Sequence, residues 1–92
     1  MSRKRDRLEI ILNILEAIRD KNNEAKPTHI LYKSNLSSEM LKSYLKELII
    51  KNLISEELDK KNKKCYSLTE KGFNYIDDFS VIKGFIDSYG LN

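Results

Sequence analysis

The first regular pattern of apolar positions runs from Arg7 to Asn22. Within this stretch apolar side chains recur every three or four residues, at Leu8, Ile11, Leu12, Leu15 and Ile18. This spacing places them along one face of an α-helix, so it predicts an amphipathic helix whose apolar stripe faces a core. The pair Asn22–Asn23 is expected to end that helix.

A short helix and a longer one are predicted next. Pro27 is suited to the first turn of a helix, so a second helix is expected from Pro27 to about Ser34. Ser37 is a good N-cap for a third helix that runs to about Asn52. Helical spacing recurs in this third helix, at Met40, Leu41, Tyr44, Leu45 and Leu48. This arrangement is the helix-turn-helix pattern, with Leu36 as the buried residue of the turn.

Beyond the third helix, two short segments rich in apolar residues follow, Leu53–Leu58 and Lys64–Leu68. Alternate positions in each segment share one face, so we predict a two-stranded hairpin. Its connecting residues 59–63 are rich in lysine and lack the Asn-Gly or Asp-Gly pair of a two-residue turn, which predicts a longer, mobile loop. A lone hairpin is only marginally stable, so it must pack on the helices.

A fourth helix is predicted after Thr69, which is a suitable N-cap. Apolar side chains continue along it at helical spacing from Phe73 to Ile86. Gly84 weakens a helix by about 1 kcal/mol relative to Ala, which leaves open a break between Ser80 and Gly84. The expected fold class is therefore mainly α with a small β-hairpin.

Composition excludes several classes of protein. A chain of 92 residues fits one small domain, and its single Cys and single His cannot form an internal disulfide or a four-ligand zinc site. No apolar run approaches the roughly 18 residues of a membrane-spanning helix. A Gly-rich phosphate loop and a nucleophile in a recognisable catalytic context are also missing. We therefore expect a cytoplasmic, non-enzymatic protein without a cofactor, metal, membrane contact or evident small-molecule ligand.

The net charge of +3 is unevenly distributed. Residues 1–7 hold four basic side chains and one acidic one, and residues 59–71 hold five and two, so each stretch carries +3. Residues 8–58 carry −1 and residues 72–92 carry −2. Two basic clusters of this kind can form a positive field for a polyanion, although a charge run can equally be a solvated tail or turn.

Three helices followed by a basic-tipped hairpin make a winged helix-turn-helix, and particular segments carry a closer resemblance. Residues 7–17, the run Asn35–Ser37 with Tyr44–Lys46, and the run Tyr66–Gly72 resemble the archaeal ten-kilodalton winged-helix DNA-binding proteins. The similarity covers about residues 5–79. It implies a C-terminal helix that pairs with a second copy as an antiparallel coiled coil. We accordingly divide the chain into a winged helix-turn-helix domain with a basic N-terminal arm, 1–79, and a dimerisation segment, 80–92.

The fold implies which side chains face double-stranded DNA. The third helix would enter the major groove, the lysines of the wing would contact a backbone or minor groove, and the N-terminal residues would act as a flexible arm. The candidate DNA-binding residues are Arg3, Lys4, Arg5, Ser38, Lys42, Ser43, Lys46, Lys60, Lys61, Lys63 and Lys64. Because residues 38–46 contain no Arg, Asn or Gln, we expect phosphate contacts to supply most of the affinity and base readout to be modest.

The apolar stripe of the fourth helix exceeds what so short a body can bury. Exposed together, these side chains would form a patch too apolar for a soluble monomer, so a homodimer is expected. The candidate interface residues are Phe79, Ile82, Phe85, Ile86 and Tyr89. The alternative is a monomer in which the last helix folds back over its own core.

Two functions follow from this reading of the sequence. The first is a homodimeric, nucleoid-associated DNA-binding protein, either a transcription regulator or an architectural chromatin-type protein. The second is a winged-helix module that binds a protein partner without binding DNA, which Glu39 on the exposed face of the third helix and the modest net charge keep open.

Overall fold

Four helices and one hairpin follow the predicted order in the computed structural model, which describes residues 5–90. These elements are α1 (Arg7–Asp20), α2 (Pro27–Ser34), α3 (Ser38–Ile50), β1 (Ile54–Leu58), β2 (Lys64–Leu68) and α4 (Glu70–Ser88). The predicted fold class is confirmed. α4 is continuous through Gly84, so the break considered there does not occur. None of the helices described is long and apolar enough to cross a membrane.

Side-chain caps determine where three of the helices begin. Oxygen atoms of Asp6, Ser37 and Thr69 accept hydrogen bonds of 2.9, 3.2 and 3.1 Å from backbone N–H groups in the first turns of α1, α3 and α4. Such bonds satisfy donors that have no partner within the helix. The caps predicted at Ser37 and Thr69 are confirmed. α2 begins instead at Pro27, whose fixed φ suits a first turn, and it has no side-chain cap.

Asparagine supplies the left-handed backbone in the connections between elements. All non-glycine residues with positive φ between residues 5 and 90 are asparagines: Asn22, Asn23, Asn35, Asn52 and Asn62. Asparagine tolerates this conformation better than other L-residues because its short polar side chain can bond locally. The chain has only three glycines, so asparagine performs the role that glycine commonly has at turns.

The core lies where α1, α2, α3 and the hairpin meet. Its large, fully buried apolar side chains come from four elements: Ile14, Leu15, Ile18, Ile30, Leu48 and Ile54. The hairpin adds Tyr66 and Leu68 from β2, and it is joined to the segment before α2 by two hydrogen bonds between Ala25 and Tyr66, of 2.9 and 2.8 Å. The hairpin therefore packs on the helices, as its marginal stability requires.

Several positions of the predicted apolar faces are more exposed than expected, and one of them is Leu8 at the start of α1, which is 56% exposed. Met40 was assigned to the inner face of α3, but 45% of its surface is exposed, because it lies at the edge of the apolar stripe. Leu58 shares a strand face with the buried Ile54, yet it is 61% exposed because β1 extends beyond the helices that cover its first residue. Leu36, expected to be the buried residue of the turn, is half-buried and packs against the core.

Candidate nucleic-acid interface

The outer face of α3 carries polar and basic side chains. Because Leu41, Leu45 and Leu48 turn toward the core, the positions between them turn outward. The predicted DNA-binding residues on this face are all exposed: Ser38, Lys42, Ser43 and Lys46. Within residues 5–90 neither lysine of this group forms an ion pair. The face therefore presents two lysines without an ion pair among these residues, together with the exposed carboxylate of Glu39.

The turn of the hairpin is built on Asp59. Its backbone N–H donates to the Lys63 carbonyl at 2.8 Å, and its carbonyl accepts from Asn62 N–H at 3.0 Å. Its side-chain Oδ1 accepts from the N–H groups of Lys61 and Lys63 at 2.8 and 2.9 Å. With Asn62 left-handed at φ 60°, this is a compact bulged turn. Residues 59–63 thus form a connection longer than a two-residue turn, as predicted, and the Asp59 carboxylate closes it.

Electrostatics keep that carboxylate ionised. The hydrogen bond from the Lys63 N–H is the main cause that lowers the pKa of Asp59, with smaller contributions from the Lys61 N–H and from Lys26. The Lys26 ammonium lies 3.4 Å from Asp59 Oδ2, which ties the turn to the residue that precedes α2. The turn is thus held by a charged acceptor at neutral pH.

The lysines of the turn point into solvent. Lys60, Lys61, Lys63 and Lys64 are all exposed. In the part of the chain that the structure describes, only Lys64 has an acidic partner, with its Nζ 3.9 Å from Glu56 Oε2. A surface pair at that distance contributes little. The tip of the hairpin therefore carries exposed positive charge on an ordered backbone.

A family model described as winged helix-turn-helix matches residues 4–86 of the chain. The chain belongs to this family. The hairpin β1–β2 is accordingly its wing, and α2 with α3 is its helix-turn-helix.

Solved structures share this winged-helix fold. Sso10a-2, a DNA-binding protein from Sulfolobus solfataricus, is similar over 94% of this chain and 90% of its own, with a TM-score of 0.74 and 22% identity. F93 from STIV, a winged-helix DNA-binding protein, is similar over 86% and 90%, with a TM-score of 0.68 and 21% identity. MepR, a transcription regulator of a Staphylococcus aureus multidrug efflux pump, is similar over 87% and 60%, with a TM-score of 0.78 and 17% identity.

A sequence relative occurs in Methanocaldococcus jannaschii. This uncharacterised protein is 39% identical over 69 residues, which are 75% of the present chain. The chain spans 29% of that relative's length. The sequence similarity therefore connects the winged-helix chain to an archaeal protein that is considerably longer.

The N-terminal basic residues do not all extend into solvent. Arg3 and Lys4 lie outside the residues that the structure describes. The guanidinium of Arg5 donates to Asn13 Oδ1 and to the Ser34 carbonyl, each at 2.8 Å, and it is half-buried. Sequence reasoning missed these contacts, since no local pattern links Arg5 to a carbonyl 29 residues away.

Arg7 is likewise occupied within the chain. It forms an ion pair with Glu47 on α3, and its guanidinium carbon lies 5.8 Å from the centre of the Tyr44 ring. A guanidinium over an aromatic face is attracted by the ring's electron density. Both partners are on α3, so Arg7 joins the start of α1 to the middle of that helix.

The C-terminal part of α4 leaves most of its apolar side chains uncovered. The predicted interface residues Ile82, Phe85 and Tyr89 are 59%, 65% and 66% exposed, and Ile86 is 37% exposed. Phe79 is half-buried, with its ring 6.1 Å from that of Tyr75. Val81, which the prediction omitted, is 71% exposed on the same stretch. Beyond Ile76, α4 contributes no buried residue up to residue 90.

A groove between α1 and α4 continues this apolar surface. Its lining combines apolar residues of both helices, among them Leu8, Leu12, Ile76 and Ile82, with a larger number of polar and charged ones. No group of three or more potential metal ligands occurs among residues 5–90. Two features of the described surface are therefore candidates for binding a partner: the exposed lysines of α3 and the wing, and the exposed apolar side chains of α4.

Proposed function

We propose that the chain binds double-stranded DNA as a homodimer, with affinity dominated by phosphate contacts and with modest sequence preference. The observation that carries this proposal is the set of exposed lysines on α3 and the wing, most of which have no acidic partner within residues 5–90. Sso10a-2 and F93, which share the fold over nearly their whole length, are DNA-binding proteins, and this supports the same role here.

The outer face of α3 is the proposed reading surface. In a helix-turn-helix the N-terminal half of this helix enters the major groove. Lys42 and Lys46 would bond phosphates or guanine edges, and the hydroxyls of Ser38 and Ser43 would bond either a base or the backbone. Glu39 on the same face would repel phosphate, which limits the affinity that α3 alone can supply.

The wing supplies the larger share of positive charge. Lys60, Lys61, Lys63 and Lys64 would lie along the phosphate backbone or the minor groove. The hydrogen bonds of Asp59 hold the turn before DNA arrives. Because less backbone freedom is lost on binding, an ordered wing binds more tightly than a loose loop with the same charge.

Residues 80–92 are the proposed dimerisation segment. The exposed apolar side chains of α4 would be covered by the same face of a second copy, as a two-fold axis requires. The pairing would place two α3 helices against neighbouring half-sites of one duplex. A monomer would leave Ile82, Phe85 and Tyr89 in water.

The experiment that tests this function compares charge removal on and off the proposed surface. Affinity for a labelled duplex is measured by fluorescence anisotropy for the wild type, for Lys42→Gln/Lys46→Gln and for Arg19→Gln/Lys21→Gln. Both variants lose the same charge, but Arg19 and Lys21 lie at the exposed end of α1, outside α3, the wing and residues 80–92. The proposal predicts that only the first variant binds distinctly more weakly. Equal affinities for the two variants would contradict it.

The same assay separates a regulator from an architectural protein. A pool of random duplexes is compared with the promoter of the protein's own gene at a single salt concentration. A preference of about tenfold or more, equivalent to about 1.4 kcal/mol, supports a transcription regulator. Uniform affinity supports an architectural chromatin-type protein.

A further inference from the structure

Arg5 connects α1 to the end of α2. Its guanidinium donates 2.8 Å hydrogen bonds to Asn13 Oδ1 and to the Ser34 carbonyl, and a 3.4 Å bond to the Asn35 carbonyl. The last carbonyls of a helix have no partner within that helix, and they carry the negative end of its dipole. A guanidinium supplies both hydrogen-bond donors for these carbonyls and a positive charge that stabilises the negative end of the dipole. The side chain therefore caps α2 while it is anchored on α1.

The carbonyls that Arg5 bonds come directly before α3. Asn35 is the left-handed C-cap of α2, at φ 54°, and α3 begins three residues later. The position of this turn therefore sets where α3 starts. Near the middle of α3, Glu47 pairs with Arg7 of α1, and the Tyr44 ring lies beneath the same guanidinium. The N-terminal segment thus contacts the helix-turn-helix both before α3 and at its middle.

We propose that Arg5 is a positioning residue for DNA binding, which fixes α3 against α1 and acts on the duplex through that helix without touching DNA. This inference rests on the proposed function. Nη1 makes both 2.8 Å bonds and Nη2 makes the 3.4 Å bond, so the contact uses both terminal nitrogens of the planar guanidinium. A lysine at position 5 keeps the charge, but its side chain is one bond shorter and ends in a single nitrogen, so it cannot reproduce this geometry. Substitutions can therefore separate the effect of the charge at position 5 from the effect of its hydrogen bonds to α1 and α2.

Two variants make that separation. Arg5→Lys keeps the charge and loses the fork, whereas Asn13→Ala changes no charge and removes the anchor on α1. Alanine is the better helix former, so Asn13→Ala does not weaken α1 itself. Arg19→Lys is the control, because Arg19 is an exposed arginine of α1 that, among residues 5–90, pairs only with Glu16 and Asp20 of its own helix.

Duplex affinity is measured by anisotropy across a salt series, at a temperature where circular dichroism shows every variant fully folded. Positioning by Arg5 predicts that Arg5→Lys and Asn13→Ala each lower affinity by about tenfold, the scale of one charge-assisted hydrogen bond. The slope of log K against log salt stays unchanged, because no phosphate contact is lost. Arg19→Lys matches the wild type in both quantities.

Other outcomes overturn the inference. A direct phosphate contact by Arg5 predicts that Arg5→Lys keeps most of its affinity and that Asn13→Ala does not weaken binding. A role in overall stability alone predicts wild-type affinity for every folded variant. A wild type that binds no duplex overturns the proposed function and this inference with it. If the wild type binds duplex DNA and both Arg5→Lys and Asn13→Ala bind it equally well, the inference is overturned while the proposed function stands.

Discussion

The hydroxyl of Tyr75 donates a 2.8 Å hydrogen bond to the carbonyl oxygen of Leu8, and so joins α4 to the first turn of α1. Burial is the main cause that raises the pKa of this phenol, with Asp6 adding to the effect, so the hydroxyl remains a neutral donor at physiological pH. The contact lies next to Arg7, which holds α3. The start of α1 is therefore a junction between the proposed dimer helix and the proposed reading helix.

Removing this hydroxyl measures how strongly α4 is held. Tyr75→Phe keeps the ring and deletes one hydrogen bond, so we expect the free energy of unfolding to fall by about 1 kcal/mol. In a domain of this size that corresponds to a decrease in Tm of roughly 4–8 °C, measured by calorimetry at one protein concentration. Tyr32→Phe is the control, because Tyr32 is 92% exposed, and it should leave Tm unchanged. Equal effects of the two substitutions would contradict the role of the Tyr75 bond.

Two glycines of α4 should respond to alanine with opposite signs. A Cβ at Gly72 would lie 2.3 Å from the Leu53 carbonyl oxygen, whereas one at Gly84 would meet nothing within 4 Å. Helix propensity favours alanine at both positions, by about 1 kcal/mol. We expect Gly84→Ala to gain that stability and Gly72→Ala to lose about 1–3 kcal/mol through the clash. Urea unfolding measures both, and the same sign for both would contradict this packing of α4.

Local patterns were sufficient to predict the elements of this fold. Helical spacing and the caps Ser37 and Thr69 located α3 and α4 because both signals act within a few residues. The edge of an apolar stripe is less well determined, and Met40 lies at that edge. The hydrogen bonds that close the wing turn were not predicted, since the acceptor role of Asp59 depends on the folded turn.

The contacts of the N-terminal arginines had no signal in the sequence. Arg5 bonds a carbonyl 29 residues away and Arg7 pairs with a carboxylate 40 residues away. Only the packing of α1 against the helix-turn-helix brings these groups together. In the sequence, solvent-exposed terminal arginines cannot be told from arginines that bond other elements of the fold, and the structure shows that Arg5 and Arg7 are of the second kind.

The exposed face of α4 should determine the oligomeric state. Phe85→Glu places a charge within the proposed interface, so we expect dimers to dissociate and light scattering to report the monomer mass of 10.8 kDa. Phe85→Leu keeps the site apolar and should retain the wild-type mass of about twice that value. A wild type of monomer mass would refute dimerisation through α4.

The stability of the wing turn should depend on pH. The lowered pKa of Asp59 means that its ionised form stabilises the folded turn, so this contribution is present above the ordinary value of 3.8 and is lost as pH falls through the lower folded value. An NMR titration should show the carboxyl carbon and the Lys61 and Lys63 amides moving with one midpoint below 3.8. Lys26→Gln should raise that midpoint only in part, because the Lys63 N–H is the larger cause. If the Lys61 and Lys63 amide signals do not shift as the Asp59 carboxylate is protonated, the hydrogen bonds assigned to this turn are contradicted.

If the lysines of this winged helix bind DNA through its phosphates, the affinity for duplex DNA must depend on the salt concentration. For the wild type, log K should fall linearly with log salt, with a slope of about −0.9 for each phosphate neutralised. Replacing Lys60, Lys61, Lys63 and Lys64 by Gln should lower affinity and make the slope shallower. A wild type whose weak affinity does not change with salt would show that these lysines do not bind phosphates, and would favour a winged-helix module that binds a protein partner.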